Sequence, residues 1–191
     1  MQRRQFLAAA GAGAAAAFSG CVDGLTTGPD GAEQSHPDIS VETDPAPGPA
    51  SVTVSVERAF DDDGPARLRI ALTNDGDEPL SAIFGTVPPF TGLHGDQVEG
   101  DARLLLVPTS NQRHQRVIPD TPIDGSWRAT GDVATNATAI TKDVPAGETL
   151  SETYDLLAGP ETEVLPAGEY RFEVRDYLGR ETWGFTVSVT Y

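Results

Sequence analysis

Alternation of apolar and polar residues is the feature that most constrains the fold of this chain. At the carboxyl end, Trp183, Phe185, Val187, Val189 and Tyr191 alternate with polar or small residues. Residues 52–57, 68–73 and 170–175 repeat the pattern. Successive side chains of a strand point to opposite faces, so this period predicts strands with one buried face. The less regular apolar runs at 80–87 and 103–107 predict strands covered on both faces.

Turn sequences separate these runs. They lie at 61–65, 74–77, 145–148 and 166–169, and the last two both read Pro-Ala-Gly-Glu. Proline fixes φ and glycine suits the end of a type I turn. Seven to nine strands in about 140 residues predict a two-layer antiparallel β-sandwich over residues 51–191.

The order of these strands and turns resembles the immunoglobulin-like domains of the intracellular proteinase inhibitor (BsuPI) family. The resemblance rests on four segments: 68–74 (LRIALTN), 125–128 (GSWR), 144–150 (VPAGETL) and 165–174 (LPAGEYRFEV). It implies that the predicted all-β fold is an antiparallel immunoglobulin-like β-sandwich. It also implies proteinase inhibition as an alternative function.

The first twenty residues have the layout of a secretory signal peptide. A positive start at Arg3 and Arg4 precedes an apolar run over 6–18, and small residues follow at 19–20. This order is typical of a cleaved export signal. The apolar run is shorter than the roughly 20 residues that a membrane-spanning helix needs.

Two motifs in this leader carry a further resemblance. Arg3 and Arg4, followed after one residue by Phe6 and Leu7, resemble the twin-arginine export motif. Small residues directly before Cys21 resemble a lipobox, in which the cysteine becomes the lipidated first residue. Together the motifs resemble lipoproteins of halophilic archaea. They imply lipidation of Cys21, anchoring in the membrane and a location on the extracellular face of the cell.

Residues 21–50 are predicted to be a disordered acidic linker. This segment is rich in glycine and proline, holds six acidic residues and no basic one, and has few large apolar side chains. Such a composition cannot bury enough surface to fold. The stretch DPAPGPA at 44–50 is expected to be stiff and extended.

The charge is strongly negative, with 29 acidic against 13 basic residues. Removing Arg3 and Arg4 with the leader leaves 11 basic residues and lowers the formal net charge from −16 to −18. Such a field repels phosphate backbones, so nucleic acid is not expected as a partner. Lys142 is the one lysine, and acid excess with so little lysine suits concentrated salt. A GC-rich genome is the alternative explanation.

Two long connections, 88–101 and 108–131, are candidate binding loops, because long loops in small domains are often functional. Their aromatic and basic residues predict a patch at one end of the sandwich. The favoured alternative is that the aromatic side chains cap the core and the arginines pair with acidic neighbours. The residues concerned are Phe90, His94, Arg113, His114, Arg116 and Trp127.

The sequence contains no recognisable catalytic motif. It lacks G-x-S-x-G, a phosphate-binding glycine loop and a cysteine nucleophile within the domain. The three histidines have no metal-ligand spacing, so no metal site and no cofactor are predicted. Acidic turns at 61–63 and 75–77 carry oxygen ligands suited to calcium, but clustered aspartates are expected on any turn of so acidic a chain. Asn136 begins a glycosylation sequon.

These observations favour a non-enzymatic surface domain that binds a protein or glycan partner or shapes the cell envelope. The alternatives are an extracellular proteinase inhibitor and a hydrolase with a dispersed site. The single cysteine excludes an intrachain disulfide, so core packing must hold the domain together.

Lowering the salt concentration is expected to destabilise the domain. At about 1 M salt the screening length is roughly 3 Å, and at about 0.1 M it is roughly 10 Å, so repulsion among the carboxylates grows as salt is removed. Thermal melting across this range should show a falling melting temperature. A melting temperature independent of salt would contradict the salt-adapted interpretation.

Overall fold

The computed structural model describes residues 36–85, 87–133 and 140–191. Within these ranges the chain forms ten strands and two short 3-10 helices, which confirms the predicted all-β class. The helices are His114–Val117 and Tyr177–Gly179. The strands are β1 Asp38–Thr43, β2 Ala50–Arg58, β3 Ala66–Asn74, β4 Leu80–Phe84, β5 His94–Gln97, β6 Arg103–Pro108, β7 Ile140–Val144, β8 Thr149–Ala158, β9 Gly168–Val174 and β10 Trp183–Thr190.

Eight of these strands form one antiparallel sheet in the order β1-β10-β9-β5-β6-β8-β3-β2. Its two outermost strands, β1 and β2, are joined by residues 44–49 alone. A flat eight-stranded sheet would separate them by about 33 Å, since neighbouring strands lie about 4.8 Å apart. So short a connection spans at most about 25 Å. The sheet must therefore curl until its two halves face each other.

The strand order has the neighbour relations of an immunoglobulin-like sandwich. One half places β2, β3 and β8 side by side, and the other places β5, β9 and β10 side by side. These triplets correspond to the A-B-E and C-F-G orders of immunoglobulin domains. Strand β6 joins the halves, β1 extends the second half, and β4 and β7 form a separate pair. The sandwich is confirmed, with ten strands rather than seven to nine.

The core lies between the two halves and follows the predicted alternation. It contains the alternate residues of β3, β9 and β10, all fully buried or nearly so: Leu68, Ile70, Leu72, Tyr170, Phe172, Trp183, Phe185, Val187 and Val189. Val56 departs from the pattern with 39% exposure, at the point after which the pairing of β2 with β3 shifts register. Tyr191, at the end of the β10 pattern, is also exposed.

The two apolar runs expected to be covered on both faces have different outcomes. In β6, Leu104, Leu105, Leu106 and Val107 are all fully buried, which confirms the prediction. In β4 the prediction is wrong, because Ala82 and Phe84 are buried while Ile83 is 66% exposed. Strand β4 pairs with β7 outside the main sheet, so one of its faces remains in solvent.

The predicted boundary between linker and domain at residue 50 is also wrong. Strand β1 lies within the predicted linker and pairs along its whole length with β10, from Asp38 opposite Thr190 to Thr43 opposite Phe185. Ile39 and Val41 are half-buried against the core. Just before β1, His36 Nε2 lies 3.0 Å from Asp62 Oδ1. The pairing with β10 thus orders a strand that has two apolar side chains on one face.

Asp44 fixes the end of β1 to the neighbouring strands. Its carboxylate forms an ion pair with Arg171 of β9 and accepts the Gly184 N–H at 3.2 Å. Its backbone carbonyl accepts Trp183 Nε1–H at 3.1 Å. The hydrogen bond to Asp44 is the main cause that raises the pKa of Arg171. One residue thus joins β1, β9 and β10.

Asp44→Ala is expected to lower the free energy of unfolding by about 1–2 kcal/mol. The substitution removes the ion pair and one backbone hydrogen bond, and partial exposure of both side chains limits the loss. Chemical denaturation at fixed salt measures the change. Asp38→Ala, at the exposed opposite end of the same strand, is the matched control and should stay within about 0.5 kcal/mol of the parent. Equal effects of the two substitutions would contradict the role assigned to Asp44.

Candidate functional site

The strand registers place several connections at the end of the sandwich where the chain enters β1. Asp38 pairs with Thr190, Val189 pairs with Gly168, and Tyr170 pairs with Gln97. The start of β1 therefore lies at the same end as the β5–β6 turn and the β8–β9 connection. We call this the entry end.

Two clefts open at the entry end. The larger encloses about 620 Å³ between the β5–β6 turn and the β8–β9 connection. The smaller encloses about 320 Å³ between residues 97–99 and 167–169. The larger is lined by Asp101, Ala102, Arg103, Asp132, Gly159, Pro160, Glu161, Thr162, Glu163 and Val164. Its volume is in the range of pockets that hold small ligands or a few side chains.

Backbone hydrogen bonds fix the walls of the larger cleft. Gly159 N–H donates to the Arg103 carbonyl at 2.8 Å, and Thr162 N–H donates to the Gly159 carbonyl at 3.0 Å. On the opposite wall, Gln97 N–H donates to the Ala102 carbonyl at 2.9 Å. These bonds fix the β5–β6 turn relative to the β8–β9 connection, so the cleft is a permanent feature of the fold.

Two tyrosine hydroxyls hold the β8–β9 connection against the sheet. Tyr170 Oη–H donates to the Pro166 carbonyl at 2.8 Å, and Tyr191 Oη–H donates to the Leu165 carbonyl at 2.7 Å. Burial raises the pKa of Tyr170 to about 12, with a smaller contribution from Tyr191. Both hydroxyls therefore remain protonated donors at neutral pH.

The lining of the larger cleft is acidic. Asp101, Asp132, Glu161 and Glu163 contribute carboxylates, whereas Arg103 is the one cationic lining residue. The Arg103 guanidinium is already engaged, because its Nε lies 2.8 Å from Asp96 Oδ1. The smaller cleft adds Glu99 and Glu169. The entry end therefore favours positively charged ligands.

Exposed apolar side chains surround the same clefts. Val98 is 57% exposed, Val164 is 67% exposed and Tyr191 is 63% exposed. They are half of the six large apolar side chains that the described residues leave exposed. Such a concentration at one end of a small domain is typical of an interaction surface.

The predicted loop residues do not form one patch. Phe90 is fully buried, and its ring packs against Trp183 and Phe185 with centroids 5.5 and 5.3 Å apart. Trp127 is also buried, and its Nε1–H donates to the Asp61 carbonyl at 2.7 Å. Both aromatic side chains serve the core, which was the favoured alternative.

The connection 108–131 is bonded to the end of β8 and to its buried carboxylate. Ala158 of β8 exchanges backbone hydrogen bonds of 2.9 Å with Trp127 and Ala129. The buried Asp155 carboxylate accepts Arg67 Nε–H at 2.9 Å and Gln115 Nε2–H at 3.5 Å. The first 3-10 helix, which belongs to this connection, also contacts β6.

The basic residues predicted for these loops lie in different places. Arg113, His114 and Arg116 lie in or beside the first 3-10 helix, with His114 buried and both arginines exposed. No ion pair joins either arginine to a carboxylate in the described ranges, so their expected pairing with acids is not seen there. His94 lies in β5, with Nε2 3.7 Å from Asp132 Oδ1 at the edge of the larger cleft.

Several predicted residues lie outside the described ranges: Arg3, Arg4, Phe6, Leu7, Cys21 and Asn136. Within those ranges no group of three or more His, Cys, Asp or Glu side chains is placed to hold a metal ion. In the acidic turn at 61–63, Asp61 Oδ1 instead accepts the N–H groups of Asp63 and Gly64 at 3.0 and 2.8 Å. Among the residues with described placement, no helix is long and apolar enough to cross a membrane.

The described part of the chain is thus a β-sandwich domain with two acidic clefts at one end. Residues 1–186 match the family described as "Domain of unknown function (DUF8130)", and the chain belongs to this family. The matched range includes the leader with Cys21 as well as nearly all of the sandwich. No curated protein and no solved structure matches the chain.

Tyr170→Phe is expected to change the alkaline stability of the domain. A raised pKa means that the folded state binds the hydroxyl proton more tightly than the unfolded chain, so this contribution is fully present below about pH 10 and is lost as pH rises to about 12. The variant should lose about 1 kcal/mol at neutral pH through the missing hydrogen bond. Above pH 10 its unfolding free energy should fall less steeply than that of the parent. Identical slopes in denaturation curves at pH 9 to 12 would contradict this assignment.

Proposed function

We propose that this protein is exported by the twin-arginine route and anchored by a lipid on Cys21 to the extracellular face of the membrane. There its sandwich acts as a non-enzymatic binding domain. The export part is supported by the order of Arg3-Arg4, Phe6-Leu7, the apolar run and the one cysteine. The binding part is carried by the two acidic clefts at the entry end.

The length of chain between the lipid and the sandwich supports this arrangement. Residues 22–37 separate Cys21 from β1 and span at most about 60 Å when extended. The negative charge of the domain opposes adhesion to an anionic lipid surface. The linker therefore sets an upper limit on the distance between the domain and the membrane.

The chemistry of the clefts favours binding over catalysis. The lining offers carboxylates, exposed valine side chains and fixed backbone walls. His94, beside Asp132 at the edge of the larger cleft, is the candidate general base nearest to the lining. Thr162 is the one hydroxyl side chain among the described lining residues, and it is buried. A rigid acidic surface with apolar edges suits recognition of a cationic group.

Cys21→Ser should release the protein from membranes into the medium, because the leader remains intact while the lipid attachment site is lost. Membrane and medium fractions probed by immunoblot measure the release. Mass spectrometry of the parent should show a lipid mass on the mature amino-terminal cysteine. Membrane retention of the variant after a salt wash would refute lipid anchoring.

A second variant separates export from anchoring. Replacing Arg3 and Arg4 together by lysine keeps the positive charge but removes the arginine pair. This variant should accumulate inside the cell as the uncleaved precursor. Normal export of this double variant would contradict the twin-arginine route while leaving lipidation on Cys21 testable by the first variant.

A further inference from the structure

We propose that the entry end is a docking surface for a basic peptide segment in which arginine or lysine side chains alternate with apolar ones. The proposal rests on the binding role proposed above and does not depend on lipid anchoring. It is argued from the shape of the two clefts, from the exposed apolar side chains around them and from their charge.

The first argument is shape. The β5–β6 turn contributes to both clefts, as residues 97–99 line the smaller one and residues 101–103 line the larger one. The β8–β9 connection also contributes to both, through residues 159–164 and 167–169. The two depressions have no lining residue in common but are built from the same two connections, which suits successive side chains of one peptide better than a single compact ligand.

The second argument is apolar exposure. Val164 belongs to the larger cleft and Val98 to the smaller one, and both side chains are more than half exposed. Tyr191 lies beside Val164, because its hydroxyl is bonded to the carbonyl of the next residue, Leu165. The apolar side chains of a bound peptide would remove these surfaces from water, which is favourable.

The third argument is charge complementarity. Six carboxylates line the two clefts, against the guanidinium of Arg103, which is bonded to Asp96. All six carboxylates are exposed, and at about 1 M salt the screening length is roughly 3 Å, so only charges in direct contact still attract one another. A basic segment would therefore keep a local electrostatic attraction even in concentrated salt, whereas attraction between distant surfaces would be lost.

The probe for the test is the peptide acetyl-Val-Arg-Val-Arg-Val-amide, titrated by calorimetry into the purified full-length chain carrying Cys21→Ser, at about 1 M NaCl. A matched peptide replaces both arginines by citrulline, which keeps the shape and removes the charge. The arginine peptide is expected to bind about tenfold tighter than the citrulline peptide. Equal affinities would overturn the proposal.

Protein variants locate the binding. Glu161→Gln with Glu163→Gln removes two exposed cleft carboxylates and should weaken binding about three- to tenfold. The matched control, Asp75→Asn with Asp77→Asn, removes two exposed carboxylates at the opposite end and should change affinity less than about twofold. Val164→Ser should also weaken binding. Equal losses in the glutamate and control variants would mean attraction by overall charge and would overturn the docking site.

A titration with calcium chloride tests whether the surface binds a metal cation instead of a basic peptide. If calcium binds at micromolar concentration and the Glu161→Gln, Glu163→Gln variant abolishes that binding, the surface is a cation site and the peptide proposal is overturned. Since the protein used carries Cys21→Ser, failure of peptide binding says nothing against anchoring. Failure of anchoring likewise leaves the calorimetric result intact.

Discussion

The aromatic and aliphatic stripe of β10 is the contact on which the rest of the domain depends. Trp183 packs on Tyr177 with ring centroids 4.9 Å apart, and Phe185 stacks on Phe172 of β9 at 5.0 Å. Strand β10 also carries β1 on one edge and β9 on the other. Because the single cysteine allows no intrachain disulfide, the common core to which this stripe belongs has to hold the two halves of the sandwich together.

Much of the fold follows from the sequence because the central strands obey a simple rule. Strands β3, β9 and β10 each bury every second side chain, and that period is visible without any tertiary information. The apolar run in β6 likewise reflects burial on both faces. In each case the local pattern and the tertiary environment agree.

The strands that the sequence does not predict are specified by their neighbours. Strand β5 reads His-Gly-Asp-Gln and has no alternation, yet it pairs with both β6 and β9. Gly95 within it is required because a Cβ there would collide with the Phe172 ring. Strand β1 has two apolar residues in a region rich in acids and proline. Their pairing is recognisable only once the edge of β10 is known.

The two Pro-Ala-Gly-Glu segments show how tertiary context overrides a local motif. In the first, Gly147 has φ +74° and Glu148 N–H bonds to the Pro145 carbonyl, which is the arrangement of a type II turn rather than the expected type I turn. In the second, Gly168 has φ +145° and already belongs to β9. Identical sequences therefore adopt different backbone conformations, because the second segment is held by the Tyr170 hydroxyl and by the pairing of β9.

The clefts could not be predicted from the sequence, for a related reason. Their walls come from residues 97–103 and 159–169, which are far apart in the chain and are brought together by the pairing of β5, β6, β8 and β9. The predicted site gave weight to Phe90 and Trp127, but large aromatic side chains gain more from burial in the core than from exposure. The exposed valines that mark the clefts are too common in sequence to indicate a site.

The position of the clefts links the proposed anchor to the proposed docking surface. Strand β1 begins at the end of the sandwich that carries the clefts, so the proposed linker would join the domain at the end of the proposed docking surface. A partner bound there would occupy space within the linker's reach, at most about 60 Å from the lipid. Within the proposed arrangement, a partner must therefore present its basic segment inside that distance of the membrane. The length of the linker would then restrict which partners can bind as strongly as the chemistry of the clefts does.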